Sequence, residues 1–404
     1  MKNQLSFILV ILFLLLAACS TRTISPTPPS DQPTESITPP QPEKSVKKSI
    51  HKRAQWSALT DWANDDLLPA WQAFLKSCTV LSKQPLWQET CTAATALQKS
   101  DNTTLRNFFE TYFIPYQVIN RDSSEEGLVT GYFEPLLKGS RKPSKRYRHP
   151  IYTAPAELLT IDLGAINPEL KELRLKGRLD GRKVVPYYTR AEIMNNPKIL
   201  NGYEFLWVED EVELFFLHIQ GSGRIVFDNG EIMKIGFSDQ NGHPYQSIGK
   251  ILVQRGELVL EKASMQGIKQ WGQQNPTKLP ELLQQNARYV FFRELPADLS
   301  GPIGAMGVPL TAGRSIAIDP QSIPQGAPVF LATTWPNTQK PLNRLMVAQD
   351  VGSAIKGGIR ADFFWGFGQE AGNQAGKMKQ SGKMWVLMPR DYTPTLGSVD
   401  ISHR

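Results

Sequence analysis

The sequence predicts an α+β protein weighted towards β structure. A helical apolar pattern comes first, over about 56–118, and a β-rich middle with helices and then β-like runs broken by Gly and Pro follow it. No repeat of solenoid period interrupts that order. With 404 residues the chain has room for two domains. Its 41% hydrophobic and 21% charged residues suit a well-formed core. A formal net charge of +7 favours an acidic partner. No recognition-helix, zinc-finger or aromatic–basic pattern accompanies that charge, so nucleic acid is not expected.

The first element, "MKNQLSFILVILFLLLAACS", places Lys2 before an apolar run from Leu5 to Leu16 and then small residues. It reads as a signal peptide over 1–19, because the run is too short for an ordinary membrane span. Residues 20–54 are rich in Pro, Ser and Thr, as in "SPTPPSDQPTESITPPQPEK". They read as a disordered, extended tether that ends in a solvated basic run.

Helical spacing then links Trp56, Leu59, Trp62, Leu67 and Leu68, and again Trp71, Phe74, Leu75 and Cys78. "SDNTTLRNFFETYF" supplies capping candidates for another helix. Cys78 and Cys91 fall in this region, and in an oxidising compartment they are expected to pair. Three Cys and five His without paired ligand spacing predict no metal and no other cofactor.

Next, "EGLVTGYFEPLLKGSR" is strand-like, and Thr189 and Glu192 stand in capping-box spacing. The stretch from Gly202 to Phe237 reads as several strands, with a turn at Asp228-Asn229-Gly230 and His218 half-buried on a strand. Helices are expected around "YQSIGKILVQRG" and "KASMQGIKQWGQQ", and a strand at "ARYVFFRE". From Ile303 onward short β-runs alternate with turns to the end.

Chemistry concentrates in "MVAQDVGSAIKGGIRADFFWG". An aspartic protease needs two Asp loops, and this chain has one Asp350-Val351-Gly352-Ser353. His218 and Ser222 lack a nucleophile elbow. Acid–base work by carboxyl groups remains. Asp362 precedes Phe363, Phe364 and Trp365, whose apolar surface disfavours a charge, and a second carboxylate acts in the same direction. A raised pKa is what a general acid at neutral pH requires. The alternative is that Asp350 and Asp362 are ordinary turn residues.

"VTGYFEP", "HIQGSGRI", "YQSIGKILVQRGEL", "ASMQGIKQW", "AIDPQSIPQGAPVFL" and the aspartate stretch lie in that order over about 130–385. They resemble the membrane-bound lytic murein transglycosylase A family, and the last blocks resemble a three-aspartate (3D) domain. Leu16-Ala17-Ala18-Cys19 resembles a lipoprotein lipobox, with Cys19 lipidated. The resemblance implies a double-psi β-barrel domain with N-terminal helices, split over 55–133 and 293–390. It also implies an inserted β-rich substrate-binding domain over 134–292, a groove between the two, and a tail over 391–404.

The activity so implied is a peptidoglycan lytic exotransglycosylase that cleaves the MurNAc–GlcNAc bond and leaves 1,6-anhydro ends. Asp362 acts as acid and then base, while Asp350 orients substrate or holds the acid's pKa up. Thr130, Tyr132, Gln220 and Ser222 occupy substrate-binding positions. Asp319 either binds substrate or braces a barrel turn. Lys356 and Arg360 either meet lactyl or stem-peptide carboxylates or face solvent. A monomer anchored by lipid in the outer membrane and facing the periplasm is expected, with glycan strands and other cell-wall enzymes as partners. The alternatives are a non-catalytic peptidoglycan-binding lipoprotein and a hydrolytic muramidase.

Overall fold

The computed structural model describes residues 50–98, 101–170, 175–352 and 354–393. The expected signal peptide, Cys19, most of the tether, Ser353 and the end of the tail lie outside the described residues.

The chain opens with strand Ile50–Arg53 (β1), then helices Leu68–Leu81 (α1), Pro85–Ala96 (α2) and Asn102–Tyr112 (α3). Strands Phe113–Ile119 (β2) and Gly127–Glu134 (β3) follow. Composition had grouped β1 with the tether, but it pairs antiparallel with β2 and ties His51 Nε2 to Ser322 O at 2.8 Å. The helical spacing from Trp56 becomes two 3-10 turns, Trp56–Ala58 and Trp62–Asn64, because Asp61 between them takes a left-handed backbone (φ 66°). Trp62 is buried all the same, edge-on to Phe109 and Phe330.

The middle of the chain contains Leu136–Ser140 (β4), His149–Tyr152 (β5), Leu159–Ile161 (β6), Leu175–Asp180 (β7) and Lys183–Pro186 (β8). It continues with Arg190–Asn195 (α4), Glu204–Val208 (β9), Glu211–Gln220 (α5), Ser222–Val226 (β10) and Ile232–Gln240 (β11). Ile248–Gln254 (α6), Met265–Gln274 (α7), Leu279–Gln284 (α8) and Val290–Leu295 (β12) complete it. The capping box opens α4, with both reciprocal bonds made.

The segment around His218 departs from the strand expectation. It is helix α5, started by the Asp210 side chain, which accepts from the Val212 and Glu213 amides, and ended by Gly221 at φ 77°. Its near-continuous apolar run hides the period, so the two caps, not the hydrophobic pattern, reveal the helix.

The last part holds Ser315–Ile318 (β13), Pro328–Thr334 (β14), Pro341–Val351 (β15), Arg360–Phe367 (β16), Gly368–Lys377 (α9) and Lys379–Pro389 (β17). Strands β3, β16, β13, β15, β14 and β17 pair in that order, and β17 returns to β3. This closes a six-stranded barrel and removes its edges. Strands β2 and β1 extend outward from β17. A second sheet runs β12-β11-β10-β4-β9-β5, beside a three-stranded β6-β7-β8. β12 crosses the expected boundary at 292/293 because it pairs with β11 as far as Leu295.

Three contacts fix the helical part, one between two helices and two to the barrel. Cys78 and Cys91 form the expected disulfide between α1 and α2. Closing so short a loop stabilises by about 3 kcal/mol in the chain-entropy picture. Arg314, just before β13, forks onto the buried Asp65 with two bonds of 2.9 Å. Gln349 on β15, fully buried, donates to Ala73 O and Ser77 Oγ of α1 and accepts from Ser315. Alternation along the strand then turns the next side chain, Asp350, to the opposite face.

Candidate active site

The register of the barrel assembles the site. Ala317 on β13 stands opposite Asp350 on β15 on one side and Asp362 on β16 on the other. Asp362 in turn stands opposite Thr130 on β3. Two carboxyl groups therefore flank a residue too small to fill the space between them. Tyr132, two residues along β3, lies on the face that Thr130 occupies, and its ring tilts against Phe364 at 5.2 Å.

Hydrogen bonds define the two carboxyls. The Thr130 hydroxyl donates to Asp362 Oδ1 at 2.6 Å, and Arg360 Nη1 donates to the same hydroxyl at 3.0 Å. Arg360 Nη1 also donates to the carbonyl of Ala361 at 2.6 Å. Asp350 accepts more: the Ala305 and Val351 amides at Oδ1, both 2.9 Å, and the Tyr132 hydroxyl at Oδ2, 3.0 Å.

Burial of its carboxyl pushes Asp362 up to about 6, and the charge of Asp350 adds to the rise. The Thr130 bond and the Arg360 cation act in the opposite direction. Asp350 is also raised by burial, against the pull of its three donors. Burial and both carboxylates hold the Tyr132 phenol far above its ordinary range, so it remains a donor.

The other expected site residues lie apart from this cluster. Gln220, at the end of α5, accepts from the Phe133 amide at 3.1 Å and so ties the second sheet's helix to β3. Ser222 is buried at the start of β10. Asp319, after β13, accepts from the Gly357 amide at 2.9 Å and from the Gln321 amide at 3.2 Å. It braces its own turn and the loop that leads to Asp362. Lys356 is exposed on that loop.

Sequence reasoning missed three features. Arg360 reaches Asp362 through Thr130, a contact named by neither the substrate-carboxylate nor the solvent-facing expectation. Helix α9 stood unrecognised among β-runs, although Ala371, Gly372 and Ala375 are buried at helical spacing. The helix packs closely on β3: a Cβ at Gly131 would lie 2.9 Å from Ala375 Cα, and one at Gly372 would lie 2.9 Å from the Phe133 ring. A junction also escaped notice, in which Arg224 pairs with the buried Glu134 at 2.8 Å and lies over the Phe367 ring.

A cleft of about 860 Å³ opens between the barrel and the segment carrying α6 and α7. Thr130, whose hydroxyl binds Asp362, is among its lining residues. Ser264, Gln266 and Asn337 offer amides and hydroxyls around it.

A closed six-stranded barrel, a second β-rich domain and a pair of raised carboxyls beside an open polar cleft define a two-domain protein of the 3D-barrel class. Residues 128–293 match the MltA specific insert domain and 314–388 match the 3D domain. The membrane-bound lytic murein transglycosylase A of Escherichia coli K12 is 32% identical over 279 residues, 67% of this chain and 68% of that protein. The crystal structure of MltA from Neisseria gonorrhoeae in its monoclinic form superposes with a TM-score of 0.75 at 39% identity, covering 86% of this chain and 96% of that one. That of Escherichia coli MltA with bound chitohexaose gives 0.64 at 28% identity, covering 86% and 97%. The chain belongs to the membrane-bound lytic murein transglycosylase A family.

Proposed function

We propose that this protein is a peptidoglycan lytic transglycosylase with Asp362 as its sole acid–base group. The observation that carries the reading is the Asp362 carboxyl: raised to about 6 and bound by the hydroxyl of Thr130, a residue of the cleft lining. A group poised there exists in both protonation states near neutral pH, as a residue serving as acid and then base must.

In the forward step the Asp362 proton passes to the glycosidic oxygen as the C1–O4 bond breaks. The muramyl C6 hydroxyl then closes on C1, and its proton returns to Asp362. Protons balance without water, and no second catalytic carboxylate on the opposite face of the sugar is required. Asp350, anchored by three donors, supplies fixed negative charge beside the acid. The neutral sugar chain of chitohexaose in a relative fits the amide and hydroxyl lining of this cleft.

The domain partition read from the resemblance belongs to this proposal, with its second boundary moved past Leu295. So do attachment to the outer membrane through lipidated Cys19, a periplasmic orientation and a monomeric state.

Digestion of purified glycan strands tests the reading. Products ending in 1,6-anhydromuramic acid are expected. Reducing ends would make the protein a muramidase, and absence of cleavage with retained murein binding would make it a binding lipoprotein.

A further inference from the structure

The two walls of the cleft carry cations without counter-ions. Lys250 projects from α6 on one wall, while Lys377 and Lys379 flank the turn from α9 into β17 on the other. All three are exposed, none is ion-paired among the described residues, and no acidic side chain joins them in the lining. Elsewhere on the surface lysines do find acids: Lys269 reaches Asp210 and Glu213, and Lys383 reaches Glu125 and Glu126.

Grouping unneutralised charge in a concave site raises self-repulsion when the site is empty and attracts an anion when it is filled. A bare sugar ring offers an ammonium group nothing of that kind, and the neutral polar lining already suits hydroxyl and acetamido groups. The flexible stem of lysine suits carboxylates at variable distance from the sugar better than the fixed fork of arginine.

We propose that Lys250, Lys377 and Lys379 bind the carboxylates of peptide stems, making stem-bearing glycan the preferred substrate of the cleft. The proposal rests on the lytic reading of the same site. An amidase-stripped strand keeps one lactyl carboxylate per muramyl residue. A stem converts that group to an amide and presents several carboxylates further from the ring. A chito-oligosaccharide presents none. The three ligands form a graded series in charge on one backbone.

Equilibrium binding of the full-chain Asp362→Asn protein to soluble stem-bearing glycan strands, and to the same strands after amidase treatment, reads binding without turnover. Binding to stem-bearing strands should weaken about tenfold between about 0.05 and about 0.5 M salt, while binding to stripped strands falls less. Chitohexaose affinity should not respond to salt. In the otherwise wild-type chain, the triple variant K250Q, K377Q, K379Q should raise KM for stem-bearing strands about tenfold, each contact contributing about twofold, with kcat within about twofold.

Equal affinity for stem-bearing and stripped strands with the same salt response would overturn the proposal, as would an unchanged KM in the triple variant. The wild-type salt response stands even if that variant folds poorly. Should no strand be cut at all, the lytic reading falls, while the binding comparison still decides what the lysines bind.

Discussion

Asp350 and Asp362 flank the same alanine on one barrel face, yet they are furnished differently. Asp350 receives two backbone amides and a phenol, whereas Asp362 receives one hydroxyl. Each donor favours the charged form, while burial disfavours it for both. The difference shows how one sheet can hold a charge-bearing group beside a proton-exchanging one: the number of donors distinguishes them. Asp319 extends the comparison, since its carboxyl is engaged by two backbone amides, those of Gly357 and Gln321.

The largest expected effect comes from removing the exchanging group. Asp362→Asn should lower turnover on glycan strands about 10²- to 10⁴-fold, measured as anhydromuropeptide release, with murein sedimentation preserved. Asp350→Asn should cost less, roughly tenfold, because it removes a neighbouring charge and leaves the proton donor in place. Its alkaline limb in kcat/KM should move to lower pH, since the lost charge had helped to raise Asp362. Equal losses in the two variants would erase the distinction between the carboxyls.

The same asymmetry should be visible in stability. Asp362 has a folded pKa of about 6, above the 3.8 of an ordinary aspartate. The folded state therefore holds the extra proton between those values. Stability contributed by this group is complete below about pH 4 and is lost as pH rises through 6. Asp362→Asn should thus be more stable than wild type at pH 7 by about 1–3 kcal/mol, with the gap closing by pH 4, as urea unfolding would record. A destabilised variant at pH 7 would mean that the carboxylate is better accommodated than its single donor suggests.

Smaller shifts separate the supports of Asp362. In wild type, kcat/KM should fall with rising pH above about 6, as the general acid loses its proton. Thr130→Val removes the hydroxyl donor and should move that limb upward. Arg360→Gln removes a cation acting through the same hydroxyl and should move it upward by less. Asp350 and Tyr132 also face the group and remain in both variants, so the two displacements isolate the Thr130–Arg360 contribution.

Much of this chain was legible locally. The capping box at Thr189 and Glu192, the pairing of Cys78 with Cys91 and the turn at Asp228-Asn229-Gly230 depend on near neighbours, and each stands as expected. Where a run was apolar all round, as in α5, period alone misled and the caps decided. Where buried residues were small, as in α9, the pattern was faint because the helix packs against a glycine on another strand.

The aromatic run after Asp362 marked it as a group whose pKa would rise, and the familiar motifs marked the neighbourhood. Which hydroxyl would hold its proton in check, and that Arg360 would serve that hydroxyl, depended on closing the barrel. Thr130 and Asp362 lie 232 residues apart and meet only through the β3–β16 register. Residue type and spacing encode contacts within a few positions. Contacts across that span follow from which strands pair and in what register, and a one-residue slip would turn every one of these side chains to the other face.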